Sequence, residues 1–386
     1  MRIVDINTLR PGVVLGKALL DEKGQILLHT GVTLTETYIK ALKAKGYQQL
    51  YISDAEAPVD IEPEEDISPA TRSRAFQVLN KTFEAIGSEV GRVKTLSLNE
   101  VQKALEDDRL STILSSKGPL GDVCTAVTQI LDEVMTRPVL AGLTSIRSSD
   151  TQLYNHCIDV TVVAIMIARA LGLPNHQVRQ LAMGCMLHDI GMIFIEQHLS
   201  EKDRIRHHTL LGYELLKRSR EQEILAPHVA FEHHERQDGS GLPRGLVGSN
   251  KIERNRAGKT PVPTLIGEIA AVANTYDALL SGSPSTQPLT PDKALLVIRN
   301  AAGTILNEEI VKSFLRVVPV FPLGMEIMVT DGKYKQYTGT VSAINSSHLD
   351  RPVIVLYRDA KRTVINPIEV NMVKEEDIQV RPYGGM

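Results

Sequence analysis

The chain has 386 residues, 42% hydrophobic and 23% charged, enough for two or three domains of ordinary globular composition. A formal charge of −3 gives no electrostatic reason to expect a nucleic-acid polymer or an acidic membrane as partner. Cys124, Cys157 and Cys185 are widely spaced and form no CxxC pair, which argues against a disulfide framework or a cysteine zinc site and for a reducing cytoplasm.

Residues 1 to 53 read as a small α+β unit. Val13–Leu20 and Gln25–His29 are apolar runs flanking the turn Asp21-Glu22-Lys23-Gly24, the pattern of a hairpin. Thr33-Leu34-Thr35-Glu36 has capping-box form ahead of a helix that Gly46 ends, and the strand QQLYI follows. The N-terminus lacks the basic-then-apolar pattern of a secretion signal. No apolar run approaches the roughly 20 residues of a membrane span, so no membrane is expected.

Asp54 to Pro69 carries seven carboxylates and three prolines, a linker composition. A polar pair of connecting helices follows to about Leu114, a possible homodimer contact or a monomeric strut. Together they make a connecting segment, 54–118. From 119 to 318 apolar helical patterns succeed one another, broken at Gly172-Leu173-Pro174, Gly191 and Asp238-Gly239-Ser240-Gly241. The cations Arg204, Arg206, Lys217, Arg218 and Arg220 are ordinarily a solvated face, although they suit a small anion. After Pro319 the alternation switches to period two, and EIMVTDG, TGTVSAI, PVIVLYRD and RTVINPIEV predict four or five antiparallel strands of a small barrel in 319–386.

Nine of the eleven histidines lie between His156 and His234. His156 shares a helix face with Val160, Val163, Ile167 and Leu171. His188 and Asp189 follow Leu181, Ala182 and Cys185 at helical spacing. His208 aligns with Leu211, Gly212 and Leu215, and His233-His234 continue the stripe of Val229 and Ala230. One inward histidine is usually structural, but five with an aspartate predict a metal site, because so many buried imidazoles need a cation. His176, His198, His207 and His228 fall off this pattern and are expected at the surface or behind the ligands.

LHDIG (187–191), HxxxGYELL (208–216), HHERQDGSGLPRGL (233–246) and NTYDALLSG (274–282) resemble the HD-GYP family, bacterial phosphodiesterases of cyclic di-GMP within the HD phosphohydrolase superfamily. The resemblance covers roughly 119–318. It implies a mainly α fold: an HD-type helical bundle flanked by the small α+β domain and the β-barrel-like domain, both of which resemble units found beside such modules. It also implies His156, His188, Asp189, His208, His233 and His234 as metal ligands. His188 and Asp189 stand at its catalytic centre, with Asp189 bridging two divalent ions, iron or manganese before zinc. Substrate contacts are expected from Arg236, Asp238, Gly241 and Arg244, and partner-protein contacts from the glycine-rich loop 238–248.

The sequence departs from the family at several places. Asn274 stands where the family has its last ligating aspartate, with Asp277 one turn on as the substitute. Leu242 replaces the motif tyrosine, Met192 the lysine after HDIG, and SGSPSTQP (281–288) an Arg-Pro-Tyr segment. Gln152 occupies the place of a third-metal glutamate, which favours two ions. The stretch 249–263 is longer than usual and carries Arg254, Arg256 and Lys259, readable as a loop or a cationic lid. The expected activity is opening of cyclic di-GMP to pGpG or GMP. The alternatives are a module that binds nucleotide or partners without turnover, and a hydrolase of another phosphate ester.

Overall fold

The computed structural model describes residues 2–21, 25–47, 49–53, 65–90, 118–142, 151–195, 199–218, 225–253, 261–282 and 286–383. Most of the acidic stretch, the second connecting helix, His198, Arg220 and the cations Arg254, Arg256 and Lys259 lie outside them.

At the N-terminal end, β1 (Arg2–Asp5), β5 (Gln49–Ser53) and β2 (Val14–Leu15) form one antiparallel sheet in that order, and β3 (Leu19–Leu20) pairs with β4 (Ile26–Leu28). The run 13–20, predicted as one strand, is thus divided between two sheets. Helix α1 (Glu36–Ala44) is capped by Thr35, whose hydroxyl accepts the Tyr38 N–H, and not by Thr33 of the predicted capping box. Thr33 is held in extended backbone by a bridge to Val14, which leaves the next β-branched hydroxyl to cap. Gly46 ends the helix at φ +81°, a conformation glycine adopts without strain. Ile6, Leu15, Leu34, Leu42 and Leu50 close a small apolar core of their own.

Nine α-helices and one 3₁₀ turn follow among the described residues: α2 (Pro69–Val90), α3 (Pro119–Val134), α4 (Gln152–Ala170), α5 (Asn175–Leu187), the 3₁₀ turn Ile190–Phe194, α6 (Glu201–Leu216), α7 (Ala226–Glu232), α8 (Leu265–Ser281), α9 (Pro291–Ala301) and α10 (Glu308–Phe314). One apolar cluster unites them, with α4 at its centre. Val160, Val163 and Ile167 are fully buried, each worth about 1.5–3 kcal/mol by removal from water. Helix α4 has the length and apolarity of a membrane span by composition, more than its sequence pattern suggested, yet 72% of its most apolar 18-residue stretch is buried inside the protein. Helix α2 packs into this same core through Phe76, Leu79, Phe83 and Ile86.

Of the acids at the end of the predicted linker, Glu65 is half-buried and Asp66 fully buried. Asp66 accepts the Ala141 N–H at 2.7 Å and the Gly142 N–H at 3.4 Å. Burial outweighs these two N–H donors and the nearby charges of Arg137 and Arg72, and pushes its carboxyl up to about 6.

The C-terminal unit is an antiparallel sheet ordered β10 (Gln379–Pro382), β6 (Glu326–Asp331), β7 (Thr338–Ala343), β8 (Val353–Arg358), β9 (Val364–Asn371). Five strands agree with the period-two pattern, but β10 and β9 are edges and the predicted barrel does not close. Ile327, Val329, Val341, Ile354, Leu356 and Val370 bury one face against Phe321 and Met372, which gives the sheet a core without closure.

Candidate metal centre

The crossing of the 3₁₀ turn over α6 is set by two glycines. A Cβ on Gly191 would lie 2.0 Å from the His208 carbonyl oxygen, and Gly212 faces Gly191 from the other side. Gly191, read from sequence as a helix end, permits this approach, which brings Asp189 beside His208. Ser200 caps α6 by accepting the Asp203 N–H, and Thr264 caps α8 by accepting the Gly267 N–H.

These elements bring His156 (α4), His188 (the end of α5), Asp189, His208 (α6), His233 and His234 (the end of α7) together as two groups of ligand atoms, each within 4.8 Å. Asp189 Oδ2 is 3.8 Å from His156 Nε2 and 3.6 Å from His188 Nε2. Its Oδ1 is 3.4 Å from His208 Nε2 and 3.6 Å from His233 Nε2. One carboxylate thus offers one oxygen to each group. His234 completes the second, with its ring centroid 5.2 Å from that of His208.

The far sides of four of the five rings are held. Nδ1–H of His188 donates to the Cys185 carbonyl at 2.7 Å, that of His208 to Arg204 at 2.8 Å and that of His233 to Val229 at 3.0 Å. His156 donates Nδ1–H to Asp277 at 2.5 Å. A carbonyl can only accept, so these bonds fix the tautomer and leave Nε2 bare toward the centre. Burial lowers the imidazoles of His188, His208, His233 and His234, the last two most strongly.

Bare nitrogens nevertheless meet in pairs, His156 and His188 at 3.3 Å and His208 and His233 at 3.2 Å. Two lone pairs at that distance repel unless a cation lies between them. Metal bonds of about 2.1 Å put neighbouring ligand atoms about 3.0–3.4 Å apart, close to these spacings. The residues present fit divalent metal.

Asn274 is buried on α8, one turn before Asp277. Asp277, also fully buried, is engaged behind His156, with Ser281 Oγ donating to it at 3.4 Å. Gln152 is exposed at the start of α4 and Met192 is half-buried in the 3₁₀ turn. Among the off-pattern histidines, His176 is exposed, His207 half-buried and His228 bonded to Glu232 at 3.2 Å. The three cysteines are free, with Cys157 and Cys185 buried.

The four residues expected at the substrate divide. Arg236 is exposed two residues from His234, its Nη1 3.5 Å from Ser240 Oγ. Asp238 is exposed and accepts the Ser240 N–H at 2.8 Å. Gly241 packs on the backbone of Glu235 and Arg236, where a Cβ would come within 2.3 Å of the Arg236 nitrogen. Arg244 is committed elsewhere: it pairs with buried Glu232 and covers the Phe231 ring at 4.6 Å.

Sequence reasoning missed the acids that hold this loop. Glu235 accepts the N–H groups of Arg244 and Leu246, each at 2.8 Å. Glu232 accepts the Thr264 N–H at 2.7 Å and its hydroxyl at 2.6 Å. Gln237 and Asn307 each donate to Glu268 at 2.8 Å. The only signal for these was their place beside a turn-rich segment.

Residues 153–279 match the HD domain family. The chain is 26% identical over 254 residues to a cyclic di-GMP phosphodiesterase of Pseudomonas aeruginosa, covering 63% of this chain and 57% of that protein. It is 35% identical over 164 residues to the cyclic di-GMP phosphodiesterase response regulator RpfG of Xanthomonas campestris, 40% of each. The chain spans about half the length of these curated relatives. A solved HDG"Y"P protein from Bdellovibrio bacteriovorus aligns with 15% identity and a TM-score of 0.44, over 81% of this chain and 97% of that one. The match to the HD domain family falls on the helical core that carries both groups of ligand atoms, and the similarity to the two curated relatives is to cyclic di-GMP phosphodiesterases.

Proposed function

We propose that the chain is a metal-dependent phosphodiesterase that hydrolyses cyclic di-GMP to linear pGpG or GMP. One observation carries this reading: a single carboxylate, Asp189, joins two groups of tautomer-fixed, bare imidazole nitrogens. His156, His188 and Asp189 would hold one ion, and His208, His233, His234 and Asp189 the other. Asn274 would be a weak further ligand, since Asp277 is already engaged with His156. Iron or manganese suits this set best, with zinc third. When bound, such ions supply an acidified water and a clamp on the phosphodiester.

The protein's own groups do the rest. The carbonyls behind His188, His208 and His233 keep their Nε2 atoms aimed inward. Arg236, exposed beside His234, is the described cation best placed for a substrate phosphate. The 238–248 loop, with Val247 60% exposed, is our candidate for partner proteins. The reading includes units at 1–53, 54–118, 119–318 and 319–386, a cytoplasmic setting and a homodimer.

Asn274 favours a second reading, a module that binds without turnover, because an amide lacks the carboxylate's charge. Metal analysis and incubation with cyclic di-GMP plus manganese or iron separate the two. Product supports the phosphodiesterase; bound metal with no product overturns it, and product from another nucleotide alone makes it a hydrolase of a different ester.

A further inference from the structure

A row of alternating charges runs from the N-terminal unit into the helix that carries His156. Lys17, between β2 and β3, places Nζ 2.7 Å from Glu65 Oε1 and 5.1 Å from the centre of the Tyr51 ring on β5. Glu65 Oε2 lies 3.8 Å from Arg72 Nε on α2. Arg72 Nη2 is 2.8 Å from Asp159 Oδ1 on α4. Exposure along the row is 25% for Lys17, 15% for Glu65, 12% for Arg72 and 0% for Asp159.

The two ends belong to different apolar cores. Leu15 and Leu19, which flank Lys17 in sequence, lie in the N-terminal core, whereas Ile158 and Val160 beside Asp159 lie in the helical one. Asp159 is three residues beyond His156, about one helical turn. A carboxylate in so apolar a helix costs several kcal/mol unless paired in good geometry. Arg72 supplies the opposite charge at 2.8 Å and is held within reach of Glu65, which in turn binds Lys17. The ion pair at 2.8 Å adds a specific tie between α2 and α4 to their apolar packing.

We propose that Lys17, Glu65, Arg72 and Asp159 are positioning residues, through which the docked N-terminal unit fixes α4 and so the place of His156 at the metal centre. The inference rests on His156 being a ligand. Removal of Lys17 takes away one end of the row without touching the helical core.

The test uses the full chain as wild type, Lys17→Ala and Lys17→Arg. Amide hydrogen exchange is followed on metal-free protein and manganese affinity by titration. Lys17→Ala is expected to speed exchange along Gln152–Ala170 and to weaken manganese binding about 3- to 10-fold, within the usual range of such couplings; Lys17→Arg should restore both. Faster exchange confined to residues 2–53, with α4 and manganese affinity as in wild type, overturns the proposal. If wild type binds no manganese, the metal reading and the step to His156 both fall, and α4 exchange in the metal-free protein still shows whether the row holds the helix.

Discussion

Two buried polar regions meet at the end of α7, built from different residues and satisfied differently. On one side Glu232, Glu235 and Glu268 accept from Thr264, the Arg244 and Leu246 N–H groups, Gln237 and Asn307. On the other, His156 and His188 face each other through bare nitrogens, as do His208 and His233, with Asp189 between the pairs. A fully paired buried network has no remaining valence for a ligand and holds structure. A network whose donors all point outward and whose acceptors all point inward is built to be completed by a cation.

The sharpest way to break the comparison is Asp189→Ala. We expect complete loss of metal binding and of cyclic di-GMP turnover, with unfolding of the metal-free protein by urea little changed. Retained activity would refute the site. The converse is Glu232→Ala, which strands the Thr264 groups and uncovers Arg244. Discounted for the part-exposed arginine, it should cost about 3 kcal/mol in urea melts of metal-free protein. A cost near zero would show that the paired network is not structural.

Asp277→Asn addresses the border between the regions, since Asp277 supports one ligand without facing the others. Metal affinity should fall about 10- to 100-fold, as for other carboxylates behind metal-bound histidines. Unchanged affinity in a metal titration would separate Asp277 from the centre.

Asp66 gives the smallest effect. With two N–H donors it stands between the extremes, and burial lifts its carboxyl to about 6. A carboxyl raised on folding contributes stability fully below its unfolded value, and that contribution is lost as pH rises through the folded one. Metal-free protein should therefore lose about 1 kcal/mol from this group between roughly pH 5 and pH 7. Asp66→Asn should flatten that part of the urea profile; an unaltered slope would remove Asp66 from the account.

Helical spacing was enough to read His156, His188, Asp189, His208, His233 and His234 as one inward-facing set, because a buried face repeats every three to four residues. Period two likewise foretold the strands after Pro319. Spacing could not foretell closure of the sheet, since strand order and edge pairing are long-range. Nor could it show that Arg244 turns to Glu232, or that Glu65 and Asp66 leave an acidic stretch for the interior. Those outcomes depend on which donors a folded neighbour presents.

The sequence by itself determined which atoms are available at the centre and which faces they occupy, since residue type and helical register are local properties. Only the tertiary structure decided how they are used. The carbonyls of Cys185, Arg204 and Val229 fix three tautomers, Asp277 engages His156, and Gly191 lets Asp189 stand between two histidine pairs. Each is a contact whose direction is settled by backbone approach and burial, which no local pattern encodes.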